Sequence, residues 1–224
     1  MQEFFKAFIA FVEVILCITG LRPVENVANY SNTKYVPQEV TSPMAIVENG
    51  KSDFVIVTND NPDATIVTAS KEMQSDIEKI SGAKLSIVTE SNYKSKQKAI
   101  IIGETEIEND VVNIDRKNIK KDGFLIYSNG DKLFISGAES RGTLYGVYTF
   151  LEEYLGVRWF TPTLEVVPEN IDIIIDAKIN RLVEPSFIIR RNDSIGTNDA
   201  YRARTKMNVS FWEEATDYGG ALTY

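Results

Sequence analysis

Histidine is absent from the 224 residues. That removes every Ser-His-Asp triad, every Cys-His dyad and every His-ligated metal site from this stretch of chain. Cysteine occurs once, at Cys17, so no internal disulfide and no thiolate zinc site can form. Positive charge is in deficit. Lys and Arg number 24 against 32 Asp and Glu, a formal net charge of -8. An acidic domain repels phosphate backbones, so nucleic acid is not an expected partner. Neither the Walker spacing nor the dinucleotide-binding glycine pattern is present, and no metal or organic cofactor is expected. Carboxylates, arginines, lysines and tyrosines remain for chemistry. Hydrophobic residues make up 43% and charged residues 25%, the balance of a globular chain rather than a disordered one. The length suits one large domain, or one domain and a piece of another.

Residues 4–21 form a nearly apolar run behind Lys6, followed by the polar stretch Arg22 to Lys34. The pattern is that of a secretory leader ending near residue 28, with 29–43 as a linker carrying Pro37 and Pro43. Glu13 lies inside the run, where an acidic group costs roughly 2.5–3.5 kcal/mol at a bilayer centre. An amphipathic or buried N-terminal helix is the alternative.

From residue 44 the pattern becomes that of a folded domain, expected to reach residue 178. Phe54-Val55-Ile56-Val57, Leu85-Ser86-Ile87-Val88 and Ala99-Ile100-Ile101-Ile102 are short β-branched runs that read as buried strands. Between the first two, Ile66, Ala69, Met73, Ile77 and Ile80 recur every three or four residues and define one helical face. Pro62 is expected at the first helical position and Gly82 just past the last. Phe124 to Tyr127 and Lys132 to Ile135 flank Asn129-Gly130, a hairpin signal whose two central residues both accept positive φ. Leu144, Tyr148, Leu151 and Leu155 line a second helix closed by Gly156, and Ile171 to Ile175 is a further strand. Gly142 and Gly146, four apart, let that helix approach a sheet closely. The expected fold is α/β, one mixed sheet with two helices on one face. Asp115 to Asp122 reads as a solvated loop, and Trp159 as packing against the core or a domain interface. Glu152 and Glu153 point about a hundred degrees apart on their helix and cannot act as a facing carboxylate pair.

A second unit is expected from residue 179. Glu184-Pro185 marks a boundary, Phe187-Ile188-Ile189 reads as a strand, and Tyr201 to Asn208 as a short helix. Some forty residues cannot complete a core of their own, so 179–224 reads as the start of a larger domain. Asn29, Asn192 and Asn208 each open a glycosylation triplet, a pattern common by chance.

One long ordered pattern goes further. Asp122-Gly123-Phe124-Leu125-Ile126, Ile135-Ser136-Gly137-Ala138, Ser140-Arg141-Gly142-Thr143-Leu144-Tyr145-Gly146-Val147-Tyr148-Thr149-Phe150-Leu151-Glu152 and Leu155-Gly156-Val157-Arg158-Trp159-Phe160-Thr161-Pro162 follow one another. This resembles the N-terminal α/β domain of family 67 α-glucuronidases and family 20 β-hexosaminidases. It also resembles that of secreted proteins carrying the same module ahead of a glycosidase-like barrel. The resemblance implies a non-catalytic module packed against a (β/α)8 barrel that follows it. It implies a carbohydrate substrate, cleaved by carboxylates of that barrel. In hexosaminidases the first barrel strand reads roughly Pro-x-Phe-x-x-Arg, and its arginine binds sugar hydroxyls. Pro185, Phe187 and Arg190 match that spacing, which makes Arg190 the substrate-binding candidate. Arg191, Asn192 and Asp193 then depart from the family, and an ordinary interface ion pair is the equal alternative for Arg190.

The expectation is therefore the accessory N-terminal part of an exported glycoside hydrolase, secreted, periplasmic or at the cell surface. It carries no catalytic residue of its own, and its partners are a carbohydrate and its own downstream barrel. A stand-alone carbohydrate-binding or adhesion module is the alternative.

Overall fold

The computed structural model describes residues 40–112, 114–191, 198–208 and 216–220. The expected leader, most of the linker and the triplets at Asn29 and Asn192 lie outside the described residues, and the triplet at Asn208 only begins within them.

The β-branched runs become strands because each is short, apolar and bounded by turn residues. They are β2 (Val55–Thr58), β3 (Ile87–Thr89) and β4 (Ala99–Ile102). The hairpin gives β5 (Phe124–Ser128) and β6 (Lys132–Gly137). A strand beyond the expected limit, β10 (Asn180–Val183), completes a six-stranded sheet of order β10-β5-β6-β4-β2-β3. Strands β3, β2, β4 and β6 run parallel, whereas β5 is antiparallel to both β6 and β10. The sheet is thus mixed, as the element pattern implies. The sequence opens a second unit at residue 179, but backbone pairing carries the sheet through Val183.

There are two long helices, α1 (Ala64–Ser81), which connects the parallel strands β2 and β3, and, after the short α2 (Glu106–Val111), α3 (Ser140–Glu153), which follows β6. The periodic stripe of α1 is buried as its spacing requires, with Ala69, Met73 and Ile77 fully so. It packs in one cluster with Ile56, Ile100, Ile102, Ile126, Ile135 and the α3 residues Leu144, Tyr148 and Leu151. Alternate strand residues Val55, Val57, Ala99, Ile101 and Phe134 form a second, smaller cluster on the other face, partly covered by Ile107 and Val112. The two long helices therefore share one face. Two small antiparallel pairs lie outside this sheet. One joins β1 (Pro43–Val47) to β9 (Ile173–Asp176), the other β7 (Arg158–Thr161) to β8 (Leu164–Val166). Ile171 to Ile175 thus supplies a strand, but it pairs with β1 and not with the main sheet.

Local chemistry explains the ends. Helix α1 starts two residues later than Pro62 implies. Asp63 caps it, its side chain accepting the Ile66 amide at 2.9 Å, and Gly82 closes it at φ 78°. The Asp63 carboxylate also takes the Ser140 hydroxyl, tying the starts of α1 and α3 together. Asp63→Ala is expected to cost about 1 kcal/mol, a typical cap loss, seen as a lower urea midpoint with an unchanged slope. The hairpin loop has three residues, 129–131, rather than two. Only Gly130, at φ 96°, enters the left-handed region, and Asn129 keeps a negative φ.

Past Val183 the described residues contain one helix, α4 (Asp199–Arg204), and a 3-10 turn (Thr216–Tyr218), and none of them is in a strand. Phe187-Ile188-Ile189 has strand-like composition but no neighbouring strand to complete a ladder, and its side chains are 72%, 78% and 51% exposed. Helix α4 lies against α3, and the 3-10 turn against α1. With the sheet on its other side, α3 is buried continuously from Arg141 to Leu151.

Candidate functional site

The most heavily bonded polar cluster surrounds Asp122, where the loop before β5 meets the start of α3 and the chain past β10. Asp122 is 3% exposed and holds a left-handed backbone, φ 66°. Aspartate tolerates that region better than most residues because its short polar side chain bonds locally. Its Oδ1 accepts Arg141 Nε at 2.6 Å. Its Oδ2 accepts Arg190 Nη2 at 2.8 Å and Asn208 Nδ2 at 2.7 Å. One carboxylate thus joins two guanidiniums and a carboxamide from three separate parts of the chain.

Each partner is held again. Arg141, in the first turn of α3, donates from Nη1 to the Gly219 carbonyl at 3.3 Å. Arg190 donates from Nε to the Lys206 carbonyl at 2.7 Å and from Nη1 to the Phe187 carbonyl at 2.9 Å. Its guanidinium lies 5.6 Å from the centroid of the Tyr145 ring. Asn208 donates to the Ile188 carbonyl at 2.7 Å and accepts the Arg190 amide at 2.9 Å. The Tyr145 hydroxyl donates to the Met207 carbonyl at 3.0 Å, and burial pushes its pKa up to about 12. Burial alone would raise the Asp122 carboxyl, but the bonds and charges of Arg141 and Arg190 outweigh it and hold the group below the usual carboxylate range. With both oxygens occupied by donors, Asp122 is neither a general acid nor a free base. Its role is structural, fixing residues 187–190 and 206–208 to the loop before β5 and to α3.

A second polar seam runs beside it. Arg204 grips Glu72 with Nη2, at 3.0 and 3.2 Å, and lies 5.5 Å from the Trp159 ring. Trp159 is buried and meets Tyr148 edge-on at 5.4 Å, the packing role its position after the helix implies. Glu165 accepts Lys79 at 2.8 Å, and Lys79 reaches Asp76 at 3.0 Å. Glu152 pairs with Lys206 at 2.8 Å, while Glu153 pairs with Arg181. The two adjacent glutamates thus diverge to opposite partners. Among the described residues no group of three or more His, Cys, Asp or Glu could hold a metal.

Asp122 corrects the reading of 115–122 as a solvated loop. It is buried, and Arg116 in the same stretch pairs with Glu108, which is fully buried. Arg190, singled out by its match to the hexosaminidase-like Pro-x-Phe-x-x-Arg pattern, directs three of its donor groups to Asp122 and to two backbone carbonyls.

Residues 44–150 match the family model for the N-terminus of glycosyl hydrolase family 67. An α-glucuronidase of Hypocrea jecorina is 29% identical over 107 residues, 46% of this chain and 12% of that protein. A probable α-glucuronidase A of Aspergillus oryzae is 27% identical over 144 residues, 63% of this chain and 16% of that protein. This chain therefore spans only a small part of either enzyme. A solved family 115 4-O-methyl-α-glucuronidase, specific for decorated arabinogalactans, overlays with a TM-score of 0.54. It is 17% identical and covers 74% of this chain and 25% of that one, a likeness of fold.

Proposed function

We propose, from the premise that residues 44–150 are an N-terminal domain of the glycosyl hydrolase family 67 type, that this chain is the non-catalytic leading part of a carbohydrate-cleaving enzyme. Its task is to brace the catalytic domain that follows, a (β/α)8 barrel whose first residues lie past Val183. A substrate bearing a glucuronic acid is the reading that the fungal α-glucuronidases favour. Residues 1–28 act as a leader that carries the enzyme to the periplasm, the cell surface or the medium. Among the described residues no helix is long and apolar enough to cross a membrane.

The observation that carries this reading is the segment Phe187-Ile188-Ile189. Three consecutive large apolar side chains are exposed, yet the carbonyls of Phe187 and Ile188 are pinned by Arg190 and Asn208. A pinned backbone that presents apolar side chains is preorganised for a neighbour, because little conformational entropy remains to be lost on docking. In this reading Arg190 fixes the junction, and sugar contact is left to the catalytic domain.

The purified chain is expected to release no aglycone from aryl α-glucuronides or aryl N-acetyl-β-hexosaminides, and measurable release would overturn the non-catalytic assignment. The variant Phe187→Ser/Ile188→Ser tests the junction. It should move the melting temperature by no more than about 1–2 °C, the range of exposed substitutions, while lowering binding of a hydrophobic dye. A large loss of stability would mean that the run is packed within the chain itself.

A further inference from the structure

Two shallow depressions of about 350 and 460 Å3 adjoin, the first at the strand ends around residues 127–130 and 177–180, the second along Leu125, Tyr127 and Leu182. Both are lined by Tyr127 and Asn180, which face each other directly across β5 and β10. Tyr127 stands half-buried on the helix-free face, its ring buttressed by Phe134 at 6.0 Å between centroids. On one side the trough continues past Asn129 and Lys178, and on the other past Ile119 and Leu182.

Most charged side chains near the Asp122 junction are tied to one another. Here the opposite holds. Among the described residues the Tyr127 hydroxyl, the Asn129 and Asn180 carboxamides and the Lys178 ammonium make no hydrogen bond or ion pair. A half-exposed aromatic ring offers a flat apolar face to the C–H face of a pyranose. Carboxamides donate and accept in turn, as vicinal hydroxyls do. An uncommitted ammonium matches a carboxylate. Asp115, which accepts the Asn118 carboxamide at 2.7 Å, lines only the second depression, whereas Lys178 lines the first.

We propose that this trough is a saccharide-binding surface, with Tyr127 as its platform, taking a pyranose oligosaccharide that carries a carboxylate. The choice of saccharide rests on the reading of the chain as part of a glycoside hydrolase. The trough and the Asp122 junction lie on different parts of the domain, because Leu125 and Tyr127 turn away from the face that α1 and α3 cover. Such a surface would hold polymer beside the enzyme without taking part in cleavage.

An NMR titration of the isotopically labelled chain tests it, with a glucuronic-acid-substituted xylo-oligosaccharide and its unsubstituted counterpart as probes. The expected result is saturable shifts at residues 125–130 and 178–182, with tighter binding of the acidic sugar. Asn180→Ala, at an exposed position, should weaken both probes about fivefold, the loss of one or two hydrogen bonds. Lys178→Ala should remove the preference for the acidic probe and leave the neutral one unchanged. Tyr127→Ala should abolish binding, and Tyr127→Phe, which keeps the ring against Phe134, should retain most of it. No shifts with either probe at millimolar concentration, shifts confined to other residues, or an Asn180→Ala titration like that of the parent chain would each overturn the site. Such a failure leaves the junction reading standing, since that is scored on Phe187 and Ile188. Sugar release by the chain would overturn the non-catalytic assignment and not this surface.

Discussion

Asp122→Ala is expected to destabilise the chain by about 3–5 kcal/mol, the cost of breaking a buried ion pair on one side only. The carboxylate has three donors, and Arg141 and Arg190 are 5% and 18% exposed in their side chains. Removing Asp122 leaves both guanidiniums facing a void with little water to replace it. Alanine also fits the left-handed backbone at φ 66° poorly, at roughly 1–2 kcal/mol. Asp122→Asn separates these effects. Asparagine accepts the same backbone and nearly the same shape, but presents an amide where Asn208 or Arg190 donates. Its expected cost is smaller than that of alanine and still above about 1 kcal/mol, the price of mispaired donors. Urea unfolding followed by circular dichroism measures all three proteins. A loss below about 1 kcal/mol for the alanine variant would mean that residues 187–190 and 206–208 are not held through Asp122.

The same pair of proteins carries a pH signature. The Asp122 pKa is depressed in the folded state because its partners outweigh burial. Its contribution is therefore complete above the unfolded value, about 3.9, and is lost as pH falls through the lower folded value. The stability gap between parent and Asp122→Ala should be constant from pH 5 to 7 and should shrink below about pH 4. Asp176 and Glu165 are depressed as well, but they are common to both proteins and cancel in the difference.

How far the sequence announces this structure depends on the range over which each feature is encoded. The α1 stripe from Ile66 to Ile80 and the strands at 55–58 and 99–102 follow from periodicity, since each needs only its own residues to be recognised. Ile171 to Ile175 and Phe187 to Ile189 have equally good strand composition, yet one pairs with β1 and the other with nothing described. Strand formation requires a partner, and a partner is not a local property. Asp122 was hidden in the same way. Lys117, Lys120 and Lys121 beside it make the stretch look solvated, while its true partners lie at positions 141, 190 and 208. Its one local signal is the Asp122-Gly123 pair that opens the family-like pattern. Arg190 is singled out by the hexosaminidase-like resemblance, but a sequence pattern does not say where its guanidinium is directed. The trough was illegible for a further reason. Tyr127 and Asn180 become neighbours only because β10 joins the sheet, and the sequence placed residue 180 beyond the sheet's end.

Gly142→Ala is the second large effect, and it is expected to have the opposite sign to the intrinsic preference. In an exposed helix interior, alanine is better than glycine by about 1 kcal/mol. At residue 142, however, a Cβ would lie 2.5 Å from the Gly123 carbonyl oxygen and 3.3 Å from the Asp122 carbonyl carbon. Those are backbone atoms, and the Gly123 oxygen is already fixed by the Ala138 amide at 2.9 Å. The loop cannot retreat without disturbing the Asp122 cluster, so overpacking of about 1–3 kcal/mol or somewhat more should dominate. Gly146 provides the comparison. Its Cβ would meet Ile135 Cγ2 at 2.7 Å and the Phe124 ring at 3.1 Å, both side chains that can shift. Gly146→Ala should therefore cost less than Gly142→Ala. If Gly142→Ala instead stabilised the chain, the close approach of α3 to the Asp122 loop would be wrong. If the approach is right, Gly142→Ala and Asp122→Ala disturb one structural unit, and their combined cost should fall short of the sum by at least about 0.5 kcal/mol.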